Sequence, residues 1–178
     1  MIRTRVGYTG GTTANPTYKQ IGDHTESIQV DYDPEQITYR ELLEVFWSSH
    51  NPRTETIRRQ YMAAVFYHDE QQKKLAIETR DQVAAKLGKT VFTQVLPAET
   101  FYLAEDYHQK FNLRRYKDIY GELAAVYPTT EALISSTAAA RLNGYVAGYG
   151  TRDQLDTEIE RLGLSAEAQQ ALRRLVLR

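Results

Sequence analysis

The chain contains 178 residues, of which 42% are hydrophobic and 25% are charged, a balance typical of a globular protein with one core of ordinary size. It contains no cysteine, which excludes disulfides, thiolate metal ligands and a thiol nucleophile within these residues. The net charge of −1 supplies no basic field, so nucleic-acid binding is not expected. No apolar run approaches the ~20 residues of a membrane helix, and no apolar signal-peptide stretch follows Met1, which favours a cytoplasmic location.

The first part of the chain combines a glycine-rich loop, a strand and a helix. Paired glycines and an Asn-Pro step predict a loop over Gly7–Tyr18. Alternating polar and apolar residues predict a strand over Glu26–Tyr32 with one buried face. Thr38 and Glu41 have the spacing of a capping box, which predicts a helix that ends near His50–Pro52.

Strands and helices continue to alternate after this helix. A second strand is predicted over Met62–Tyr67, and a helix over residues 69–87 is followed by Gly88 at its expected C′ position. A third strand is predicted over Val91–Leu96, and Phe101–Tyr107 leads into a helix or an irregular tail. This order predicts an α/β (α+β) two-layer sandwich, with a ferredoxin-like sheet and packed helices.

The composition changes near Pro128. The segment that follows is short, helical in pattern and rich in alanine and leucine. Capping residues predict three helices, the first of which runs to Leu142. The three helices begin near Thr130, Thr151 and Ser165. We therefore divide the chain into a main domain over residues 1–127 and a small C-terminal helical appendage over residues 128–178. Because about 50 residues are marginal as an independent fold, we expect the appendage to dock on the main domain.

Three polar side chains are candidates for acid chemistry. Glu26 stands at the start of a predicted strand beside the glycine-rich loop, and a carboxyl group partly removed from water can act as an acid near neutral pH. Tyr8 and Tyr61 carry phenols, which can donate a hydrogen bond to an oxygen that gains charge during a reaction. A solvated glutamate and two ordinary packed aromatics are the alternative, and spacing alone favours that alternative.

Glu105 and His108 are separated by three residues, a spacing that occurs in di-iron sites. Such a site needs a second pair and two further carboxylates, and the sequence contains no second copy, so metal binding is not expected. The sequence also lacks a P-loop, a dinucleotide fingerprint, a serine nucleophile elbow and a zinc-protease helix motif.

Five segments occur together in a specific order. They are VGYTGG at 6–11, NPTY at 15–18, a His-x-Glu step at 24–26 before a strand ending in YDP at 32–34, QY at 60–61 before AVFYH at 64–68, and FYLAEDYHQ at 101–109. Together they resemble the peptide methionine sulfoxide reductase A family over residues 4–112. Each segment alone is only a weak indicator of the family. The occurrence of all five in the family's order makes the resemblance specific. The tail after Pro128 lies outside it.

This resemblance implies a compact α/β sandwich that reduces the S-epimer of methionine sulfoxide, free or in proteins, as a repair of oxidative damage. Members use a nucleophilic cysteine in a GCFWG motif at a helix N-terminus, where the dipole favours the thiolate. The thiolate attacks the sulfoxide sulfur, methionine leaves, and a sulfenic acid remains. A second cysteine or an external thiol, usually thioredoxin, restores the enzyme, and no bound cofactor is implied.

The resemblance also implies roles for individual residues. Glu26 matches the family's acid, and Tyr8 and Tyr61 match its two phenol donors. Further residues in the matching segments are assigned, at a lower rank, to the substrate pocket: His24, Tyr102, Glu105, Tyr107 and His108.

Two departures from the family pattern shape the functional expectation. The GCFWG segment is missing, and Arg53–Arg59 stands where the family has an Asn-Asp-containing loop. We expect an oxidoreductase whose nucleophile-bearing segment lies upstream of Met1, and a chain that is inactive on its own. The alternative is a non-catalytic module that keeps a methionine sulfoxide pocket or a partner surface. A weaker third hypothesis is a metal- or cofactor-assisted enzyme that uses Glu105 and His108.

Overall fold

The computed structural model describes residues 1–176, which form two compact units. One unit contains residues 1–5, 29–31 and those from 105 onward, and the other contains residues 6–28 and 32–104. The elements are β1 (Arg3–Thr9), β2 (Thr25–Asp31), α1 (Tyr39–Ser48), β3 (Ala64–Tyr67), α2 (Glu70–Leu87), β4 (Gln94–Pro97), β5 (Tyr102–Leu103), α3 (Phe111–Arg114), α4 (Lys117–Val126), α5 (Thr130–Ser135), α6 (Thr137–Val146), α7 (Arg152–Glu158) and α8 (Ala166–Val176).

The mixed helix and strand content with a helical C-terminal part confirms the predicted α/β class. Short 3₁₀ turns complete the element list, at Arg59–Tyr61, Asp106–His108 and Ile159–Arg161. Within residues 1–176, none of the helices is both long enough and apolar enough to cross a membrane.

The described strands form two sheets. The larger has the order β2-β1-β5, and the smaller pairs β3 with β4 in parallel. Because α2 connects the two parallel strands, β3, α2 and β4 form a βαβ unit. Gly7 lies opposite Leu103 in the antiparallel β1–β5 pair, and a Cβ atom on Gly7 would clash with the Tyr102 carbonyl oxygen. The prediction of a loop from Gly7 onward is therefore wrong for residues 7–9, because the close approach of β5 requires glycine within a strand.

Local capping signals correctly predicted both helices of the βαβ-containing unit. Thr38 forms the predicted capping box with Glu41 at the start of α1. The side chain of Asp69 caps α2, and Gly88 ends it in the left-handed conformation at φ 59°. The core between these helices includes the buried Trp47, whose indole nitrogen donates to the Thr79 hydroxyl at 3.0 Å.

The C-terminal helices share a core of buried leucine, isoleucine and alanine side chains. The prediction of one helix from Thr130 to Leu142 is wrong, because the chain is extended at Ser136, at φ −75° and ψ 122°. The Ser136 side chain caps α6 by accepting a hydrogen bond from the Ala139 N–H at 3.1 Å. Helix α6 then continues past Gly144, since the Tyr145 side chain beyond it is buried in the core. The predicted boundary between residues 127 and 128 stays a prediction.

Candidate active site

Tyr8 is a buried residue of strand β1 that pairs with a second tyrosine. It is only 2% exposed and stands directly opposite Tyr102 in the β1–β5 pair, so the two side chains project from the same face of the sheet. The Tyr102 ring packs edge-on against His24, with ring centroids 5.5 Å apart and planes at 77°. Strand pairing and this ring contact therefore bring together three of the residues predicted from sequence.

His24 is 1% exposed, and both of its ring nitrogens bind the glycine-rich loop. Its Nδ1 accepts from the Gly11 N–H at 3.2 Å, and its Nε2 lies 2.8 Å from the Thr13 carbonyl oxygen. Since a carbonyl only accepts, this pairing requires a neutral imidazole with its proton on Nε2. In this arrangement the ring holds the loop against the start of β2. The role of His24 in a substrate pocket stays a prediction.

Asp23 is a second clamp on the same loop, and sequence reasoning gave it no role. Its carboxylate accepts from the backbone N–H groups of Thr12 and Thr13 at 2.9–3.0 Å and from both threonine hydroxyls at 2.8–3.0 Å. These hydrogen bonds, led by the one from the Thr12 backbone, hold the pKa of the Asp23 carboxyl well below its usual range. The carboxylate therefore stays ionised and keeps the loop closed beside His24.

Glu26 has an exposed side chain on β2, and Gln60 binds it. The Gln60 Nε2 donates to Glu26 Oε1 at 2.7 Å, which fixes the orientation of the carboxyl group. Gln60 belongs to the 3₁₀ turn Arg59–Tyr61, so Tyr61 directly follows the residue that holds the acid. The Tyr61 side chain is 51% exposed, in contrast to the buried Tyr8.

Two further hydrogen bonds hold this 3₁₀ turn in place. The buried Thr25 donates its hydroxyl to the Arg59 carbonyl oxygen at 3.0 Å, and the Arg59 guanidinium donates to the Gly10 carbonyl oxygen. The turn is thus tied both to the start of β2 and to the glycine-rich loop. Gln60 and Arg59, like Asp23, were given no role from the sequence, and the available signal for Gln60 was its place in the QY segment at 60–61.

The contacts of the predicted site residues in this unit form two separate groups. One joins Tyr8, Tyr102 and His24, and the other joins Glu26 through Gln60 to the turn that contains Tyr61. An acid and two phenols that lie together can bind and protonate an oxygen that gains negative charge. That Glu26, Tyr8 and Tyr61 share one pocket stays a prediction.

The remaining predicted site residues, Glu105, Tyr107 and His108, belong to the other unit. His108 Nε2 lies 3.9 Å from Glu105 Oε2, and the rings of Tyr107 and His108 pack with centroids 4.2 Å apart. They thus form a local cluster around one 3₁₀ turn. Among residues 1–176, no group of three or more His, Cys, Asp or Glu side chains is arranged to hold a metal ion.

Two family models match the sequence. One described as peptide methionine sulfoxide reductase matches residues 1–141. One described as the helical domain of selenoprotein methionine sulfoxide reductase A matches residues 129–173, a segment that the sequence analysis predicted to be helical but placed outside the family resemblance.

Individual relatives agree with these matches. A peptide methionine sulfoxide reductase of Drosophila melanogaster is 40% identical over 172 residues, which cover 96% of this chain and 69% of that protein. Peptide methionine sulfoxide reductase A5 of Oryza sativa subsp. japonica is 39% identical over 171 residues, which cover 91% of this chain and 66% of that protein. The chain thus spans about two thirds of the length of these relatives.

Solved structures show the same fold. Reduced Mxr1 of Saccharomyces cerevisiae superposes with a TM-score of 0.59 at 29% identity, covering 64% of this chain and 71% of that one. Methionine sulfoxide reductase A of Corynebacterium diphtheriae gives a TM-score of 0.54 at 30% identity, covering 64% and 63%. On these matches and the site described above, the chain belongs to the peptide methionine sulfoxide reductase A family.

Proposed function

We propose that this chain is the body of a peptide-methionine (S)-S-oxide reductase that repairs oxidised proteins. Glu26, Tyr8 and Tyr61 bind the sulfoxide oxygen, and the nucleophile comes from outside the 178 residues. The observation that carries this proposal is the 2.7 Å hydrogen bond from Gln60 to Glu26, which joins the acid to the turn that contains Tyr61.

The reaction follows from charge movement on the sulfoxide. A thiolate or selenolate attacks the methionine sulfur, and its electron pair reduces that sulfur while the oxygen gains negative charge. Glu26 supplies the proton and the two phenols donate hydrogen bonds to the oxygen. Since Tyr8 is nearly excluded from water, a hydrogen bond from its hydroxyl is stronger than one made in solvent. The sulfur–oxygen bond breaks, methionine leaves as the sulfide, and the oxygen ends on the nucleophile as a sulfenic or selenenic acid, which thioredoxin or another dithiol reduces with release of water.

The nucleophile is the part of the reaction that these residues do not contain. The sequence has no cysteine, so the chain alone is expected to give no thiol-dependent reduction of methionine sulfoxide. Because the tail matches a helical domain named for selenoproteins, the search for the nucleophile must include selenocysteine. Reading the DNA upstream of the Met1 codon tests this: an in-frame cysteine codon or UGA codon within a glycine- and aromatic-rich run is expected. A UAA or UAG codon directly upstream in frame would contradict the proposal.

The role of Glu26 is testable once the chain is joined to such a segment. We expect Glu26→Gln to slow reduction of a methionine sulfoxide peptide by about 10²–10⁴, the usual range for general acid catalysis. Glu44→Gln is the matched control, since Glu44 is an exposed glutamate on α1 and has no part in the site. Equal rates for Glu26→Gln and the parent protein would remove Glu26 from the mechanism.

The absence of cysteine also favours a second candidate, a non-catalytic module that binds methionine sulfoxide. Under this alternative, the chain with its natural upstream residues binds an oxidised peptide but does not reduce it. Under the first proposal, thioredoxin sustains turnover of the same protein. One assay that follows both binding and sulfide product therefore separates the two candidates.

A further inference from the structure

A cleft of about 470 Å³ lies among the C-terminal helices, on residues that the proposed chemistry does not use. Helices α6 and α7 line it, together with the turn between them at Tyr149 and Gly150, and Met1 completes the lining. All of these residues belong to the unit that contains the chain from residue 105 onward. A volume of this size is typical of clefts that hold small molecules.

Two opposite charges line this cleft, Arg141 of α6 and Glu158 of α7, and they form an ion pair. The Glu158 side chain is 15% exposed, and it also accepts a hydrogen bond from the Tyr145 hydroxyl at 2.6 Å. The Arg141 side chain is 41% exposed, and Glu158 is its only side-chain partner in the part of the chain that the structure describes. Since a guanidinium has five N–H donors and a carboxylate has about four acceptor positions, both groups keep capacity for a ligand.

The lining beside this ion pair consists of small and aromatic residues. The Tyr149 side chain is 75% exposed, and its backbone N–H donates to the Gly144 carbonyl oxygen at 3.0 Å, which holds the turn in place. Gly150 has a φ of 89°, and a Cβ atom there would clash with the Tyr145 ring. A Cβ atom on Gly144 would instead meet open space. The cleft therefore offers room beside a largely exposed aromatic ring, which suits an apolar group.

We propose that this cleft binds a free α-amino acid with an apolar side chain. The ligand carboxylate accepts from the spare N–H groups of Arg141, and the ligand ammonium donates to Glu158. The ligand side chain lies over Gly144 against the Tyr149 ring. An anion alone would meet the charge of Glu158 and a cation alone that of Arg141, whereas the adjacent charges of an amino acid complement both. The inference does not depend on the proposed function, because it uses no residue of the candidate active site.

The test is isothermal titration calorimetry of the 178-residue chain with L-phenylalanine and with analogues that each lack one recognised group. Phenethylamine lacks the carboxylate, 3-phenylpropionate lacks the ammonium, and glycine lacks the side chain. We expect phenethylamine and 3-phenylpropionate each to bind about tenfold weaker than L-phenylalanine, the usual effect of losing a hydrogen bond to a charged group. Glycine should also bind about tenfold weaker, because it buries no apolar side chain.

A pair of glycine substitutions locates the binding site. Gly144→Leu fills the cleft from a helical position where the added side chain meets open space. We expect it to abolish binding and to keep or raise the midpoint of thermal unfolding, because leucine is a better helix former than glycine. Gly121→Leu is the matched control, since Gly121 lies in α4, away from the cleft, and a Cβ atom there also meets open space. It should leave binding unchanged.

A third variant assigns the charge contact. Arg141→Gln should weaken binding of L-phenylalanine by about tenfold but should not weaken binding of phenethylamine, which has no carboxylate for Arg141 to bind. This contrast between two ligands on one variant decides the question even if Gly144→Leu fails to fold.

Several outcomes would overturn the proposal. One is the lack of saturable binding by L-phenylalanine, and another is binding that survives in a folded Gly144→Leu variant. Equal loss of binding in Gly121→Leu would place the ligand elsewhere. Equal affinities for L-phenylalanine and 3-phenylpropionate would show that Glu158 does not recognise an ammonium, so the cleft would not be an amino acid site.

Discussion

Lys110 provides a quantitative test of the structure, because its ammonium is buried. The residue is 5% exposed, and its Nζ donates to the Thr4 carbonyl oxygen at 2.6 Å and to the Thr4 hydroxyl at 2.9 Å. Burial lowers the pKa of Lys110 from 10.5 to about 8, since removal from water disfavours the charged form. The substitution Lys110→Met removes the titrating group and keeps a similar chain length.

The sign and size of the effect follow from proton linkage. Below pH 8 both the folded and the unfolded chain carry the charge on Lys110. Between about pH 8 and 10.5 the unfolded chain binds more protons than the folded one, so the contribution of Lys110 to the free energy of unfolding rises with pH. A shift of this size corresponds to roughly 3 kcal/mol at 1.36 kcal/mol per pKa unit. The hydrogen bonds to Thr4 favour the ammonium and reduce the effect, so we expect about 2 kcal/mol.

The assay is urea unfolding of the parent protein and Lys110→Met at intervals between pH 7 and pH 10.5. Other titrating groups are common to both proteins, so their contributions cancel in the difference between the two free energies. We expect the parent to gain stability relative to the variant as pH rises. A difference that stays constant over this range, or that changes in the opposite direction, would show that the ammonium is not desolvated as the structure describes.

Two further substitutions test packing in the two units separately, by urea unfolding at neutral pH. Thr79→Val removes the acceptor of the buried Trp47 indole N–H and should lower the free energy of unfolding by about 1–3 kcal/mol. Thr79→Ser is the control, because it keeps the hydroxyl. An equal loss of stability in both variants would assign the effect to packing. Leu142→Ala opens a cavity at a side chain that is 0% exposed in the core of the C-terminal helices and should cost about 2–5 kcal/mol. A loss below 1 kcal/mol would contradict the tight packing of that core.

Elements whose ends depend on local hydrogen bonds were predictable from sequence. The capping box at Thr38 joins groups three residues apart, as does the bond from the Gln72 N–H to the Asp69 side chain. Gly88 ends α2 because its own backbone adopts the left-handed conformation. None of these signals depends on a distant part of the chain, so the sequence pattern alone contains them.

Elements that depend on distant partners were not predictable in the same way. Strand β1 begins with Arg3 and Arg5, which show no apolar alternation. Their side chains instead pair with Asp31, and Arg5 also donates to Gln29 at 2.7 Å. Since these partners lie more than 20 positions away, no local pattern indicates a strand. Strand β5 is only two residues long and exists because it pairs with β1.

In the candidate site too, motifs were predictable from the sequence, whereas contacts between distant residues were not. The family resemblance identified Glu26 and Tyr61, which are 35 positions apart in the sequence. It gave no indication that Gln60 binds Glu26, because glutamine beside a tyrosine has no chemical signature of its own. The resemblance ranked His24 as a pocket residue, which stays a prediction, and it did not indicate that both ring nitrogens hold the glycine-rich loop. Hydrogen bonds of this kind depend on how the loops are arranged in the folded protein.

One short turn joins the proposed acid to the glycine-rich loop. Arg59 anchors the turn to that loop, and Gln60 orients Glu26. Tyr61 lies in the same turn and is half-exposed, whereas Tyr8 is fixed in a paired strand and buried. The backbone of this turn therefore positions both Tyr61 and, through Gln60, the acid, so a change in the turn affects the two proposed groups together.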